Sequence, residues 1–139
     1  QRSDGLIIAT PTGSTGYSLS VGGPIIDPRA EAITISPLSP HTLTMRPLVI
    51  SNKQTITIEV NSLFESVQIN CDGSRVHDFV PPVKVMIKRN PNPIRLVHSL
   101  NFSYYKTLRN KLLWGLDLRT NQTTGVNYET VTYSLTNII

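Results

Sequence analysis

The stretch that decides the reading is Asp4-Gly5-Leu6-Ile7-Ile8-Ala9-Thr10-Pro11-Thr12-Gly13-Ser14-Thr15-Gly16-Tyr17-Ser18-Leu19-Ser20, closed by Gly22-Gly23-Pro24. Leu6 to Ala9 is a short apolar run of the kind a buried strand carries. Turn residues occupy Thr10 to Thr15. Tyr17 and Leu19 then mark a short helix, with Ser14 or Thr15 as its expected N-cap and Gly22-Gly23-Pro24 as its stop. A strand that feeds a turn and then a helix start leaves backbone N–H groups free, and these attract polar or anionic ligand groups. Six of the nine residues from 10 to 18 carry hydroxyls: Thr10, Thr12, Ser14, Thr15, Tyr17 and Ser18. Such groups suit ribose or amide partners. Asp4 can accept hydrogen bonds from ligand hydroxyls or an amide NH2. The same residues also describe a well-capped turn with no ligand, and local physics leaves both readings open. The stretch has neither the Gly-Lys-Ser/Thr ending of a Walker loop nor a G-x-G-x-x-G fingerprint, so triphosphate cradling does not follow from it.

Beyond this stretch the period changes to two. Ile33 and Ile35 alternate with Thr34 and Ser36; Ile56, Ile58 and Val60 with Thr57 and Glu59; Val67, Ile69 and Cys71 with Gln68 and Asn70; Val83, Val85 and Ile87 with Lys84, Met86 and Lys88. Each run predicts a strand with one face buried. Ile94, Leu96 and His98 make a candidate fifth. Prolines 37, 40, 47, 81, 82, 91 and 93 are expected between strands or on edges. Phe102, Tyr105, Leu108 or Arg109, and Leu112 fall at helical spacing, with Asn101 or Ser103 as cap, Gly115 as stop and Trp114 as an anchor. The expected class is mostly β: a packed pair of sheets or strongly bent layers, sandwich-like, with one short helix after the first strand and one near the end. Residues 1–119 read as one domain and residues 120–139 as a polar, poorly ordered tail, with a strand through Tyr128 to Ser134 as the alternative.

The chain has 139 residues, 39% apolar and 16% charged, an ordinary globular balance. No apolar run reaches the roughly 20 residues needed to span a bilayer. The single cysteine, Cys71, allows no internal disulfide and fits a reducing compartment. The net charge is +4, but the basic residues are spread out, the densest group being Lys106, Arg109 and Lys111. No strand face interleaves aromatic and basic residues as a nucleic-acid platform would. His41 reads as a hydrogen-bonded structural residue rather than a catalyst. His77, His98 and Cys71 show no metal-ligand spacing.

Residues 3–26, SDGLIIATPTGSTGYSLSVGGPII, resemble the signature of the NAD kinase family of bacterial type. Residues 36–50, SPLSPHTLTMRPLVI, and residues 102–115, FSYYKTLRNKLLWG, resemble its next block and its terminal helix. The resemblance implies the C-terminal, dinucleotide-binding domain of an enzyme that moves the ATP γ-phosphoryl group to the 2′-hydroxyl of the adenosine ribose of NAD, giving NADP. It implies NAD and ATP as ligands, a divalent metal (Mg) accompanying ATP, a cytoplasmic location, no membrane or nucleic-acid partner, and a homodimer or homotetramer. It places Arg2, Asp4, Thr15, Gly16, Tyr17, Ser18, Leu19, Ser20 and Ser74 at the NAD site. Tyr17 is the ring-packing residue among them. The family's catalytic aspartate lies in a Gly-Gly-Asp-Gly motif that these residues do not contain, so the chain reads as a fragment with no catalytic residue and no metal ligand of its own. Gly16 departs from the family's alanine, and Ser74 stands where some members carry glutamine. A non-catalytic NAD(P)-binding or assembly module and the C-terminal domain of a related lipid kinase are the alternatives.

Overall fold

Strand β1 (Gly5–Ala9) forms where the apolar run predicts it. A 3-10 turn (Thr12–Thr15) and helix α1 (Tyr17–Ser20) follow. Then come β2 (Ala32–Leu38), β3 (Leu48–Ser51), β4 (Ile56–Val60), β5 (Val67–Cys71), β6 (Ser74–Phe79), β7 (Val83–Ile87), β8 (Arg89–Arg95), helix α2 (Tyr104–Leu112) and β9 (Ser134–Ile138). This is a computed structural model, and it describes residues 2–114 and 134–138. Among the described residues the regular structure is mostly strand, with two short helices, as expected. The strands divide into a three-stranded sheet ordered β1-β2-β3 and the pairs β4-β7, β5-β6 and β8-β9.

The three-stranded sheet is antiparallel, with Gly5 opposite Leu38, Ala9 opposite Thr34, and Ala32 opposite Ser51. Because side chains alternate, Leu6, Ile8, Ile33, Ile35, Pro37, Leu48 and Ile50 share one face. Ile33 is its buried centre, 1% exposed. Ile7, Thr34 and Ser36 point to the other face. A period-2 strand with one apolar face is expected to leave its polar face in water, but Thr34 and Ser36 are both fully buried here. Ser36 is closed off by α1, whose Ser18 hydroxyl lies 2.9 Å from Ser36 Oγ. Pro37 is a second departure, since it lies inside β2. The pairing with β3 ends at Ile35, so Pro37 is flanked by a strand on one side only, the condition under which a proline is tolerated. Pro91 and Pro93 likewise fall within β8, a member of a two-stranded sheet.

In the β4-β7 pair the alternation holds. Ile56 is buried, and Glu59 stands opposite Lys84 and pairs with it at 2.8 Å. The β5-β6 hairpin turns on Asp72 and Gly73, whose φ angles are 48° and 79°. Two consecutive positive φ values suit Asp-Gly, the pairing that a two-residue hairpin favours. Strands β3 and β6 were not anticipated. The candidate fifth strand exists as β8, but it starts earlier and ends at Arg95, before Leu96 and His98.

Residues 94–135 group as a second compact unit, taken here by itself. Its helix α2 is capped by Ser103, whose hydroxyl accepts from Lys106 N at 3.4 Å. Leu108 is its buried residue. The helix ends on Leu113 in the left-handed region, and Trp114, expected as an anchor, is half exposed. Gly115 lies outside the described residues, as does the expected tail up to residue 133. Ser134 to Ile138 form β9.

Candidate functional site

The loop after β1 is built on buried hydroxyls. Thr10 Oγ1 accepts from Gly13 N at 3.1 Å, which starts the 3-10 turn. Ser14 is fully buried; its hydroxyl donates to Pro11 O at 2.6 Å and accepts from Ile26 N at 3.0 Å. The expected capping role of Ser14 or Thr15 is therefore not what forms. Thr15 Oγ1 donates back to Thr12 O at 3.3 Å, and the residue before α1 is Gly16, which offers no side-chain cap. In α1, Ser18 Oγ lies 2.9 Å from Ser36 Oγ, a contact 18 positions apart in sequence, with both residues at most 1% exposed. Ser18 O accepts from Gly23 N at 2.8 Å. Thr34 Oγ1, buried on the same sheet face, has no hydrogen-bond partner among the described residues.

This layer turns the remaining residues outward. Tyr17 is 61% exposed. Gly16 and Ser20 are exposed, and Thr15 and Leu19 are half-buried. An exposed aromatic ring flanked by hydroxyls and backbone amides can stack on a planar base and hydrogen-bond sugar hydroxyls. Ser18 is the exception among the expected contacts, because its hydroxyl faces inward to Ser36.

A second corner lies at the start of β1. Asp4 N donates to Leu38 O at 3.0 Å, and His41 N donates to Arg2 O at 3.1 Å. These continue the β1-β2 pairing past its ends. They bring His41 Nε2 to 3.2 Å from Asp4 Oδ1, with both side chains exposed. His41 was read from sequence only as a structural residue. Its link to Asp4 follows once the Gly5-to-Leu38 register is known, since that register places residue 41 opposite residue 2. Ser36 sits opposite Ile7, three residues along β1 from Asp4, or about 10 Å. Arg2 and Asp4 thus precede β1, and Thr15 to Ser20 lie in the turn and helix that follow its other end. Ser74 opens β6 in the separate β5-β6 hairpin and is exposed.

Among the described residues no group of three or more His, Cys, Asp or Glu side chains is placed to hold a metal ion. No helix among the described residues is long and apolar enough to cross a membrane. What the arrangement can do is bind and orient a polar, ring-bearing ligand.

Residues 1–99 match the family model described as the ATP-NAD kinase C-terminal domain. The chain belongs to the NAD kinase family. It is 49% identical over 116 residues to an NAD kinase of Colwellia psychrerythraea, covering 83% of this chain and 40% of that protein. It is 48% identical over 118 residues to an NAD kinase of Pectobacterium atrosepticum, covering 85% and 40%. A crystal structure of yeast NADH kinase complexed with NADH is similar in fold, with a TM-score of 0.57 and 38% identity over 60% of this chain and 24% of that one. The chain thus spans about 40% of the length of the NAD kinases it matches. As in the expected C-terminal domain, strands dominate and the Thr10-to-Gly23 loop follows the first of them.

Proposed function

We propose that these residues form the dinucleotide-binding wall of an NAD kinase, which phosphorylates the 2′-hydroxyl of the adenosine ribose of NAD with ATP to give NADP. The observation that carries this reading is the loop Thr10 to Gly23: an exposed Tyr17 beside half-buried Thr15 and exposed Ser20, set on a layer of buried hydroxyls. Phosphoryl transfer depends chiefly on positioning and on electrostatic stabilisation of the transferred group. In this division of labour Tyr17 stacks on a ring of the dinucleotide. Thr15, Gly16, Leu19 and Ser20 line it, and Ser74 reaches it from the β5-β6 hairpin. Arg2 and Asp4 hold its polar groups, with His41 fixing the Asp4 carboxylate.

ATP, its divalent metal (Mg) and the catalytic aspartate belong with residues outside this chain. Assembly as a homodimer or homotetramer and a cytoplasmic location complete the proposal. The test is NADP formation by the protein at its natural length. Tyr17→Ala is expected to raise the KM for NAD about tenfold or more, on the scale of a lost stacking contact, with KM for ATP unchanged. An unchanged KM for NAD refutes the assignment of Tyr17.

A further inference from the structure

A four-residue helix cannot hold itself in water, because nucleating a single turn costs more than its few hydrogen bonds return. Helix α1 also lacks a side-chain cap. The turn before it is 3-10, a geometry with weaker hydrogen bonds. Even so, this segment presents Tyr17, a residue that is 61% exposed. Something beneath must set the position of residues 15–20.

The fully buried residues of the 3-10 turn and α1 are Ser14 and Ser18, both polar, while the apolar Leu19 is only half-buried. Instead there are two hydroxyl ties. One is Ser14, immediately before Thr15, which joins Pro11 O at 2.6 Å and Ile26 N at 3.0 Å. The other is Ser18, immediately after Tyr17, which meets Ser36 of β2 at 2.9 Å. Gly23 closes over the second tie, with its N bonded to Ser18 O at 2.8 Å. Thr15, Gly16 and Tyr17 are slung between these two anchors. Apolar contacts tolerate sliding, whereas a hydrogen bond fixes distance and angle, and a satisfied buried network specifies one arrangement.

We infer that Ser14 and Ser36 are positioning residues for the dinucleotide, acting through the backbone of residues 15–20 without touching the ligand. Ser18, whose hydroxyl joins Ser36, belongs to the same device. This rests on the dinucleotide reading of the loop. It adds that affinity for NAD is set partly by a hydroxyl on β2, outside every ligand-contacting stretch.

The experiment compares Ser14→Ala, Ser36→Ala and the double variant Ser18→Ala/Ser36→Ala with wild type, in the natural-length protein. The double variant guards against misfolding, because removing both partners leaves no orphaned buried hydroxyl and is close to neutral for stability. Steady-state kinetics with NAD and ATP varied separately give the readout, alongside thermal melting. Each variant is expected to raise the KM for NAD by about 3- to 10-fold, the scale of one net hydrogen bond, with kcat and the KM for ATP within about twofold of wild type. A KM for NAD unchanged in all three, whatever happens to the melting temperature, overturns the inference and leaves a purely structural role. A wild type that neither binds nor phosphorylates NAD refutes the functional reading itself, and the inference with it. Those two failures are told apart by the wild-type arm.

Discussion

Gly23 offers the sharpest test of the packing beneath α1. A methyl group at Gly23→Ala would sit 2.6 Å from Ser18 O and 2.9 Å from Ser36 Oγ, and closer still to Ser18 Oγ. Ser18 O is backbone, so the clash cannot be relieved by rotating a side chain. Either α1 lifts off β2 or the Gly23 segment moves out and loses its bond to Ser18 O, 2.8 Å long. Overpacking of a tight site costs about 1–3 kcal/mol, and the lost hydrogen bond adds about 1 kcal/mol. A total of about 2–4 kcal/mol corresponds to a drop in Tm on the order of 5–15 °C for a chain of this family's length. Gly22 provides the control. Its φ is 82°, and nothing lies within 4 Å of where a Cβ would stand, so Gly22→Ala is strained only through its backbone, at about 1–2 kcal/mol. Circular-dichroism melts of the two variants should rank Gly23→Ala well below Gly22→Ala. A Gly23→Ala protein that melts with the wild type, or above Gly22→Ala, refutes the claim that α1 is pressed onto β2 by hydroxyl contacts.

Three other outcomes follow from the same coordinates. His41→Ala and Asp4→Ala should each weaken NAD binding, and a double-mutant cycle should show coupling of about 0.5–1 kcal/mol, the scale of an exposed pair; strict additivity in calorimetric titrations contradicts the His41–Asp4 contact at 3.2 Å. The Glu31 carboxyl is held below the usual carboxylate range by its hydrogen bond and ion pair with Lys53 at 2.7 Å, against an opposing desolvation effect, with a lesser contribution from Arg89 at 3.4 Å. Its contribution to stability is therefore present above the unfolded carboxylate pKa and is lost as pH falls through the folded one; Lys53→Ala should raise the Glu31 midpoint in an NMR titration, and an unmoved midpoint rejects the pairing. Ser103→Ala removes the cap of α2, where the Ser103 hydroxyl accepts from Lys106 N. It should lower stability by about 1 kcal/mol in urea unfolding, and no change there argues against the cap.

The sequence made some of this legible and hid the rest for definable reasons. Leu6 to Ala9 and the alternating runs at 56–60, 67–71 and 83–87 report strands directly, because period 2 is a local signal. Strand β3 hides behind the Arg46-Pro47 punctuation and is too short for a periodic signal. Strand β6 carries His77 and Asp78 and alternates poorly, although the Asp72-Gly73 pair marks its hairpin. The polar face of β2 misleads, because Ser36 is buried against Ser18 of α1, a nonlocal contact that the alternation does not carry. Ser14 looked like a cap, since Ser is common there, but the nonlocal bond from Ile26 N outcompetes that role. His41 shows the same limit: its partner lies 37 residues away, and only the strand register joins them.

If this chain supplies the wall against which NAD lies, Tyr17 and Asp4 carry that contact. Calorimetric titration of NAD into the natural-length protein, with wild type, Tyr17→Ala and Asp4→Ala side by side, tests it most directly. Saturable binding by the wild type and a loss of about tenfold in each variant are expected, on the scale of one stacking contact or one charge-assisted hydrogen bond. Equal affinity in all three contradicts it.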